Sequence, residues 1–158
     1  MISGIGHVAI RVKDIDKNLA FYRDILGFQI GRTFHRKDGA TVYDLSRDPS
    51  QIGEIQLLHF ADLPQGQTAA NPIPPQAAGV DHVALLVEDM AGLYEHLLKN
   101  GVEVPIAPRS LFSVTAKPGE NQPQACHIKD PNGVTIELIT WVHQREDAQK
   151  FLQQQKTG

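Results

Sequence analysis

A repeated stretch is the feature that most constrains the fold of this chain. GIGHVAIRVKD begins at Gly4 and GVDHVALLVED begins at Gly79, with a histidine at the fourth position of each copy. Both copies are β-prone and end in an aspartate suited to cap a helix. A chain that repeats its local preferences in this way is expected to fold as two similar units.

The segments after each copy continue the repeat. Helical patterns follow at Ile15 to Leu26 and at Met90 to Leu98, and a glycine ends each of them. Three β-prone runs come next in each half: FQIGRTF, ATVYDL and IQLLHF in the first, then VEVPIA, QACHI and VTIELITW in the second. The sequence therefore predicts an α+β fold of two βαβββ modules. We expect a single domain at 1–142, with module one at 4–61, a linker at 62–78 and module two at 79–142, followed by a polar, helical C-terminal tail at 143–158.

Composition argues against several classes of protein. Fifteen basic residues face eighteen acidic ones, for a formal charge of −3, and no window collects the Lys and Arg that a nucleic-acid surface needs. No apolar run approaches the roughly 18 residues of a membrane span, and the N-terminus lacks the pattern of a secretory signal. The single cysteine, Cys126, fits a reducing compartment. We therefore expect a cytoplasmic protein that binds neither nucleic acid nor membrane.

Alternation along the first strand of each half places the two histidines. Val8, Ile10 and Val12 form the apolar set that faces a helix, so His7 and Arg11 should lie on the other, concave face. The same alternation in the second copy puts His82 on that face. Both histidines are thus predicted to point into one concavity.

The final strand of each half supplies further polar side chains. DPNG precedes Glu137 and DPSQIG precedes Gln56, so each final strand begins as a hairpin. Alternation sets both side chains opposite their apolar neighbours. Pairing across the hairpins then places Gln56 opposite Asp44 and Glu137 opposite Cys126, although a shift of one residue would reverse the face of the paired residue.

Two imidazoles, one carboxylate and one amide at matching places suggest a metal site. His7, Gln56, His82 and Glu137 offer the nitrogen and oxygen donors that suit one divalent ion such as Zn, Ni, Co, Mn or Fe. Four protein ligands on an octahedral ion leave two positions for substrate oxygens.

The motifs GHVAIRVKD, GEIQLLHF, DHVALLVED and DPNGVTIEL resemble the vicinal oxygen chelate superfamily, which includes glyoxalase I, methylmalonyl-CoA epimerase, extradiol dioxygenases and bleomycin-resistance proteins. The resemblance implies a cup-shaped mixed sheet with helices on its outer face, one metal, and a homodimer. Bacterial glyoxalase I resembles this ligand set with Glu in place of Gln56, whereas the epimerase has Gln there. An acidic residue on the preceding strand is a proposed acid/base in that epimerase, and Asp44 is its best match.

The chemistry that the resemblance implies is carboxylate-mediated proton transfer on a small-molecule substrate. A metal that binds two vicinal substrate oxygens stabilises the enediolate formed when the neighbouring C–H is deprotonated. Glu137 or Asp44 is the catalytic carboxylate; both together would allow epimerisation, and one alone would serve a glyoxalase-like lyase. Arg11 and Arg109 are candidates to hold a substrate carboxylate or phosphate. Cys126 is a candidate to line the pocket opposite Glu137, and a packing role in the core is the alternative. The other histidines are interpreted as structural or surface residues: His35, His59, His96, His127 and His143.

Two other functions remain open at this point. An extradiol-type Fe(II) dioxygenase would use only His7, His82 and Glu137 as metal ligands. It would leave Gln56 superfluous, and no Tyr occurs between Arg109 and Ile136. A metal-free binding protein of the bleomycin-resistance kind is the non-enzymatic alternative. Retention of all four polar positions argues against it.

Overall fold

The computed structural model describes residues 6–48, 54–61, 81–110 and 124–140. The chain divides into two compact units: unit one comprises Met1–Ala78 with Asp130–Val134, and unit two comprises Gly79–Lys129 with Thr135–Gly158. The predicted linker and C-terminal tail lie outside the described residues. No helix among the described residues is long and apolar enough to cross a membrane.

Unit one contains one helix and a four-stranded sheet. Its elements are β1 (Val8–Val12), α1 (Ile15–Leu19) continued by a π-helical segment (Ala20–Ile25), β2 (Gln29–His35), β3 (Thr41–Ser46) and β4 (Ile55–His59). The strand order is β1-β4-β3-β2, with β1 parallel to β4 and the other neighbours antiparallel.

Unit two repeats this arrangement. Its elements are β5 (Val83–Leu86), α2 (Met90–Lys99), β6 (Ile106–Ser110), β7 (Gln124–Lys129) and β8 (Thr135–Ile139). The order β5-β8-β7-β6 is the same, again with one parallel pair, β5 and β8. The predicted α+β fold of two βαβββ modules is confirmed. The strand predicted in VEVPIA begins only at Ile106, after Pro105, which has no backbone N–H to donate to a sheet.

Matching caps begin and end the helices of the two units. The side chains of Asp14 and Asp89 each accept a hydrogen bond of 3.0 Å from the backbone N–H three residues further on. These bonds satisfy N–H groups that the first helical turn leaves free. After the helices, Gly27 and Gly101 adopt φ of 80° and 68°, a conformation that glycine reaches without strain.

Each sheet has one apolar face in the core. In β1, Ile10 and Val12 are buried whereas Ala9 and Arg11 are exposed, as the alternation predicts. We name the opposite side of each sheet by its central polar residue: the Gln56 face in unit one and the Glu137 face in unit two. The core of unit two is formed chiefly by buried side chains on β7 and β8: Cys126, Ile128, Ile136 and Leu138.

A tight turn at Asp130–Val134 joins β7 to β8 and clusters with unit one. Asp130 Oδ1 accepts hydrogen bonds of 2.8 Å from the backbone N–H groups of Asn132 and Val134. Its Oδ2 accepts a hydrogen bond of 2.9 Å from the hydroxyl of Tyr22. Burial, and then the charge of Asp130 and this hydrogen bond, raise the pKa of Tyr22 far above its ordinary value. The turn is therefore fixed by a buried, charge-assisted contact.

Candidate active site

Gln56 and Asp44 lie directly opposite each other on β4 and β3, as the sequence predicts. Gln56 is half-buried, and Asp44 is only 1% exposed. On its other side Gln56 pairs with Ala9 of β1. His7 is exposed and lies just before β1 begins. The Gln56 face thus carries an amide and a carboxylate side by side.

The carboxylate of Asp44 is paired with Arg32, a residue that the sequence reasoning missed. Arg32 donates from Nε at 2.8 Å and approaches with Nη2 at 2.6 Å, both to Oδ2 of Asp44. Oδ1 of Asp44 is buried and has no hydrogen-bond partner within the described ranges of the chain. The glycine at Gly31, inside a β-prone run, is the sequence signal that was available, since it indicates a bulge.

Arg11 lies on the Gln56 face, where the alternation predicts it. It pairs with Leu58 of β4, and its guanidinium carbon is 5.6 Å from the centre of the Phe60 ring. A cation over an aromatic ring is attracted by the electrons of the ring face. Arg11 is thus exposed, and its guanidinium is held in position by the Phe60 ring.

In unit two, Glu137 is in contact with two histidines. Oε2 lies 3.2 Å from Nε2 of His82, and Oε1 lies 3.4 Å from Nε2 of His127. The two imidazole rings are stacked, with centres 5.8 Å apart. These side chains are partly buried, with Glu137 16%, His127 22% and His82 34% exposed.

The far nitrogen of His82 has its own carboxylate partner. Nδ1 lies 2.8 Å from Oδ2 of the exposed Asp81. This hydrogen bond is the main cause that lowers the pKa of Asp81 below its usual range. His82 is therefore held between two carboxylates, one at each ring nitrogen.

The predicted pairing of Glu137 with Cys126 is wrong by one residue. Glu137 lies opposite His127, and Cys126 lies opposite Leu138. The reason is in the turn, where Asp130 N–H bonds to Val134 O at 3.0 Å and so sets the register of every pair beyond it. Cys126 is fully buried in the core and does not line the Glu137 face, and its burial raises the pKa of the thiol. The interpretation of His127 as a residue remote from Glu137 is corrected with it.

Arg109 lies on β6, exposed, opposite Ala125 of β7. The register shifts between Ile106, which pairs with His127, and Arg109. This irregularity brings Arg109 onto the same face as His127 and Glu137, because residues that pair across strands share a face.

The imidazole nitrogens and the carboxylate and amide oxygens described above are donor types that suit a divalent metal ion. Two ligands bound at about 2.1 Å and at right angles lie about 3 Å apart, and Nε2 of His82 and Oε2 of Glu137 are 3.2 Å apart. Among the residues that the structure describes, no group of three or more His, Cys, Asp or Glu side chains is arranged to hold a metal ion. The pair in unit two therefore offers a nitrogen and an oxygen that would need further ligands.

Comparisons with known proteins find relatives over most of the chain. The chain is 31% identical over 139 residues to an ethylmalonyl-CoA/methylmalonyl-CoA epimerase of Cereibacter sphaeroides, spanning 87% of this chain and 98% of the relative. It is 29% identical to a probable lactoylglutathione lyase of Vibrio parahaemolyticus, over 84% of this chain and 87% of that one. A solved structure of a glyoxalase family protein from Enterococcus faecalis is 26% identical, covering 87% of this chain and 97% of that one, with a TM-score of 0.63.

The family profile covers most of the chain, including both repeats and the final strands that carry Gln56 and Glu137. It describes the Glyoxalase/Bleomycin resistance protein/Dioxygenase superfamily and matches residues 4–138. On this evidence the chain belongs to that superfamily.

Proposed function

We propose that the protein is a divalent-metal-dependent enzyme of the glyoxalase/epimerase type that transfers a proton on a small-molecule substrate. The observation that carries the proposal is the contact of His82 with Glu137, at 3.2 Å, in a chain that is related to an epimerase. His7, Gln56, His82 and Glu137 are the proposed ligands, as the sequence motifs indicate. A bound divalent ion would supply Lewis-acid polarisation of a substrate carbonyl, which makes the neighbouring C–H acidic.

Asp81 supports this role by holding the ring of His82. When Nδ1–H is donated to the carboxylate of Asp81, the lone pair of His82 is on Nε2, the nitrogen that lies 3.2 Å from Oε2 of Glu137. Carboxylates commonly orient metal-binding histidines in this way. The ring is therefore already turned to present Nε2.

Glu137 and Asp44 are the proposed proton carriers. Glu137 is contacted by an imidazole at each oxygen, and Oδ1 of Asp44 accepts no hydrogen bond from the part of the chain that the structure describes. Two carboxylates would remove and return a proton on opposite sides of a carbon, which is epimerisation; one would move a proton between adjacent carbons. The lyase reaction is the second candidate, and similarity to a probable lactoylglutathione lyase supports it.

Metal analysis is the first test of the proposal. After incubation with Zn, Ni, Co, Mn or Fe(II), we expect about one ion per chain in the wild type. His82→Ala and Glu137→Ala should lose it, whereas His96→Ala on α2 should not. Absence of metal from the wild type under every condition would reject the enzyme and favour a metal-free binding protein.

Isotope exchange separates the remaining possibilities. With methylmalonyl-CoA or lactoylglutathione in deuterated water, the metal-loaded protein should exchange the proton beside the carbonyl. Glu137→Gln should stop exchange on either compound, and Asp44→Asn should stop epimerisation more than lyase-type exchange. Oxygen uptake with a catechol, without proton exchange, would instead identify a dioxygenase. We also propose a homodimer, as the superfamily resemblance implies, and sedimentation equilibrium would test it.

A further inference from the structure

We propose that Arg32 determines specificity by binding an oxyanion of the substrate, either a carboxylate or a phosphate. This inference rests on the proposed function, because it assumes that two vicinal substrate oxygens are held beside Gln56. It assigns the substrate to the class of small hydroxy or oxo acids that carry a second anionic group.

A β-bulge brings Arg32 to this face. Ile30 pairs with Leu45, and the next pair is Arg32 with Asp44, which leaves Gly31 as the extra residue in β2. If Gly31 were instead paired regularly, it would lie opposite Asp44, and the arginine would lie on the opposite side of the sheet. Bulges are frequent beside functional sites, where they redirect a side chain.

The guanidinium is held from two sides and still faces solvent. Asp44 binds Nε and Nη2, and the guanidinium carbon lies 5.6 Å from the centre of the Phe34 ring. The side chain of Arg32 nevertheless remains 65% exposed. Arginine has more N–H donors than these contacts use, so free donors remain in a fixed direction. Such an arginine binds an anion without first losing side-chain freedom.

The pairing geometry argues that Arg32 does more than neutralise Asp44. A fork-to-fork pair would use both carboxylate oxygens, but Arg32 contacts only Oδ2, at 2.8 and 2.6 Å. Oδ1 of Asp44 is the one buried side-chain oxygen or nitrogen without a partner among the residues that the structure describes. The arrangement leaves the carboxylate half satisfied while it orients the guanidinium.

Register gives the length of substrate that would reach Arg32. Arg32, Asp44 and Gln56 form a row across β2, β3 and β4. Neighbouring strands are about 4.8 Å apart, so the backbone of Arg32 is about 10 Å from that of Gln56. The long arginine side chain shortens this gap, and an oxyanion a few bonds from the vicinal oxygens would span the rest.

Matched ligand pairs test the proposal by equilibrium binding to the zinc-loaded protein. One arm compares 2-hydroxyglutarate with 2-hydroxyvalerate, and the other compares 3-phosphoglycerate with glycerate. Each pair shares its vicinal oxygens and differs in the second anion. Because hydrogen bonds between charged groups are strong, we expect about a tenfold to hundredfold preference, in at least one pair, for the member that carries the second anion. The arm that shows it distinguishes carboxylate from phosphate.

Variants of Arg32 show where the preference arises. Arg32→Gln should abolish it and leave binding of 2-hydroxyvalerate and glycerate unchanged. Because this change leaves a buried carboxylate unpaired, the double variant Arg32→Gln/Asp44→Asn is the folded alternative, and it should also lack the preference. Arg36→Gln, in the exposed ion pair with Asp38, is the matched control.

The outcomes separate this inference from the proposed function. If the protein binds zinc and the members that lack the second anion but shows no preference, or if the double variant keeps the preference, Arg32 only neutralises Asp44 and the inference is wrong. If the wild type binds no metal, the proposed function fails and this inference fails with it.

Discussion

His127 lies directly across from Glu137, with Nε2 of the imidazole 3.4 Å from Oε1 of the carboxylate. This contact is a hydrogen bond when the proton of His127 is on Nε2, because a carboxylate oxygen accepts hydrogen bonds. The matching place in unit one is occupied by Asp44, opposite Gln56. The proposed metal ligands Gln56 and Glu137 are thus each paired, across neighbouring strands, with a second polar residue.

Removal of the His127 donor should weaken metal binding. In His127→Leu, Glu137 loses the contact at Oε1, and we expect about a tenfold loss of zinc affinity, as for other partners of metal ligands. His127→Gln keeps an N–H donor and should lose less. Competition with a chromophoric chelator measures both, with His96→Gln as the control. Wild-type affinity in His127→Leu would show that this contact does not position Glu137.

Loss of Asp81 should also weaken metal binding, through His82. Asp81→Ala removes the acceptor at Nδ1, so the ring is free to rotate away. Its side chain is 89% exposed, so we expect at most about a tenfold loss of zinc affinity. Glu95→Ala on α2 makes the same change of charge at an exposed position. An equal loss in both variants would assign the effect to net charge and not to ring orientation.

Tyr22→Phe should destabilise unit one in a pH-dependent way. The variant loses the hydrogen bond to Asp130, and we expect the free energy of unfolding to fall by about 1 kcal/mol at neutral pH. The folded wild type has a raised Tyr22 pKa, so above about pH 10 the unfolded state ionises first and wild-type stability declines. The gap between the two proteins should therefore shrink as the pH rises through 10.

Urea denaturation at pH 8 and pH 10.5 measures that gap. Tyr94→Phe on α2 is the control for loss of a phenol. A gap that stayed constant or widened at high pH would contradict a buried, protonated Tyr22.

Cys126 should behave as a core residue. The native thiol is expected to resist a disulfide reagent such as Ellman's reagent, and to react once urea unfolds the protein. Cys126→Ala should cost about 1 kcal/mol of stability by leaving a small cavity, with zinc affinity unchanged. Rapid labelling of the native protein, with protection by a bound ligand, would show that Cys126 lies on the binding face and not in the core.

Alternation and repeats made much of the fold predictable. The buried Ile10 and Val12, and the pairing of Asp44 with Gln56, follow from strand periodicity and a correct hairpin register. The same reasoning misplaced Cys126 and His127, because the pairing inside the turn at Asp130 shifts the register by one residue. Strand periodicity does not predict which residues of a turn form hydrogen bonds with each other, and these bonds set the register.

Arg32 was missed for a different reason. Counting by twos along β2 assumes one residue opposite one residue, and the bulge at Gly31 breaks that assumption. The partner of an ion pair, moreover, is chosen by tertiary neighbours and not by local pattern. Contacts of this kind, Asp81 with His82 and Arg32 with Asp44, become visible only when both side chains are placed.

The bulge at Gly31 also means that β2 can shorten by one residue without changing the face on which its arginine lies. Deleting this one glycine would close the bulge and bring the arginine directly after Ile30, where it would still pair with Asp44 on the Gln56 side of the sheet. The oxyanion preference proposed for Arg32 should thus survive a single-codon deletion at this point of an edge strand, with every proposed metal ligand left in place.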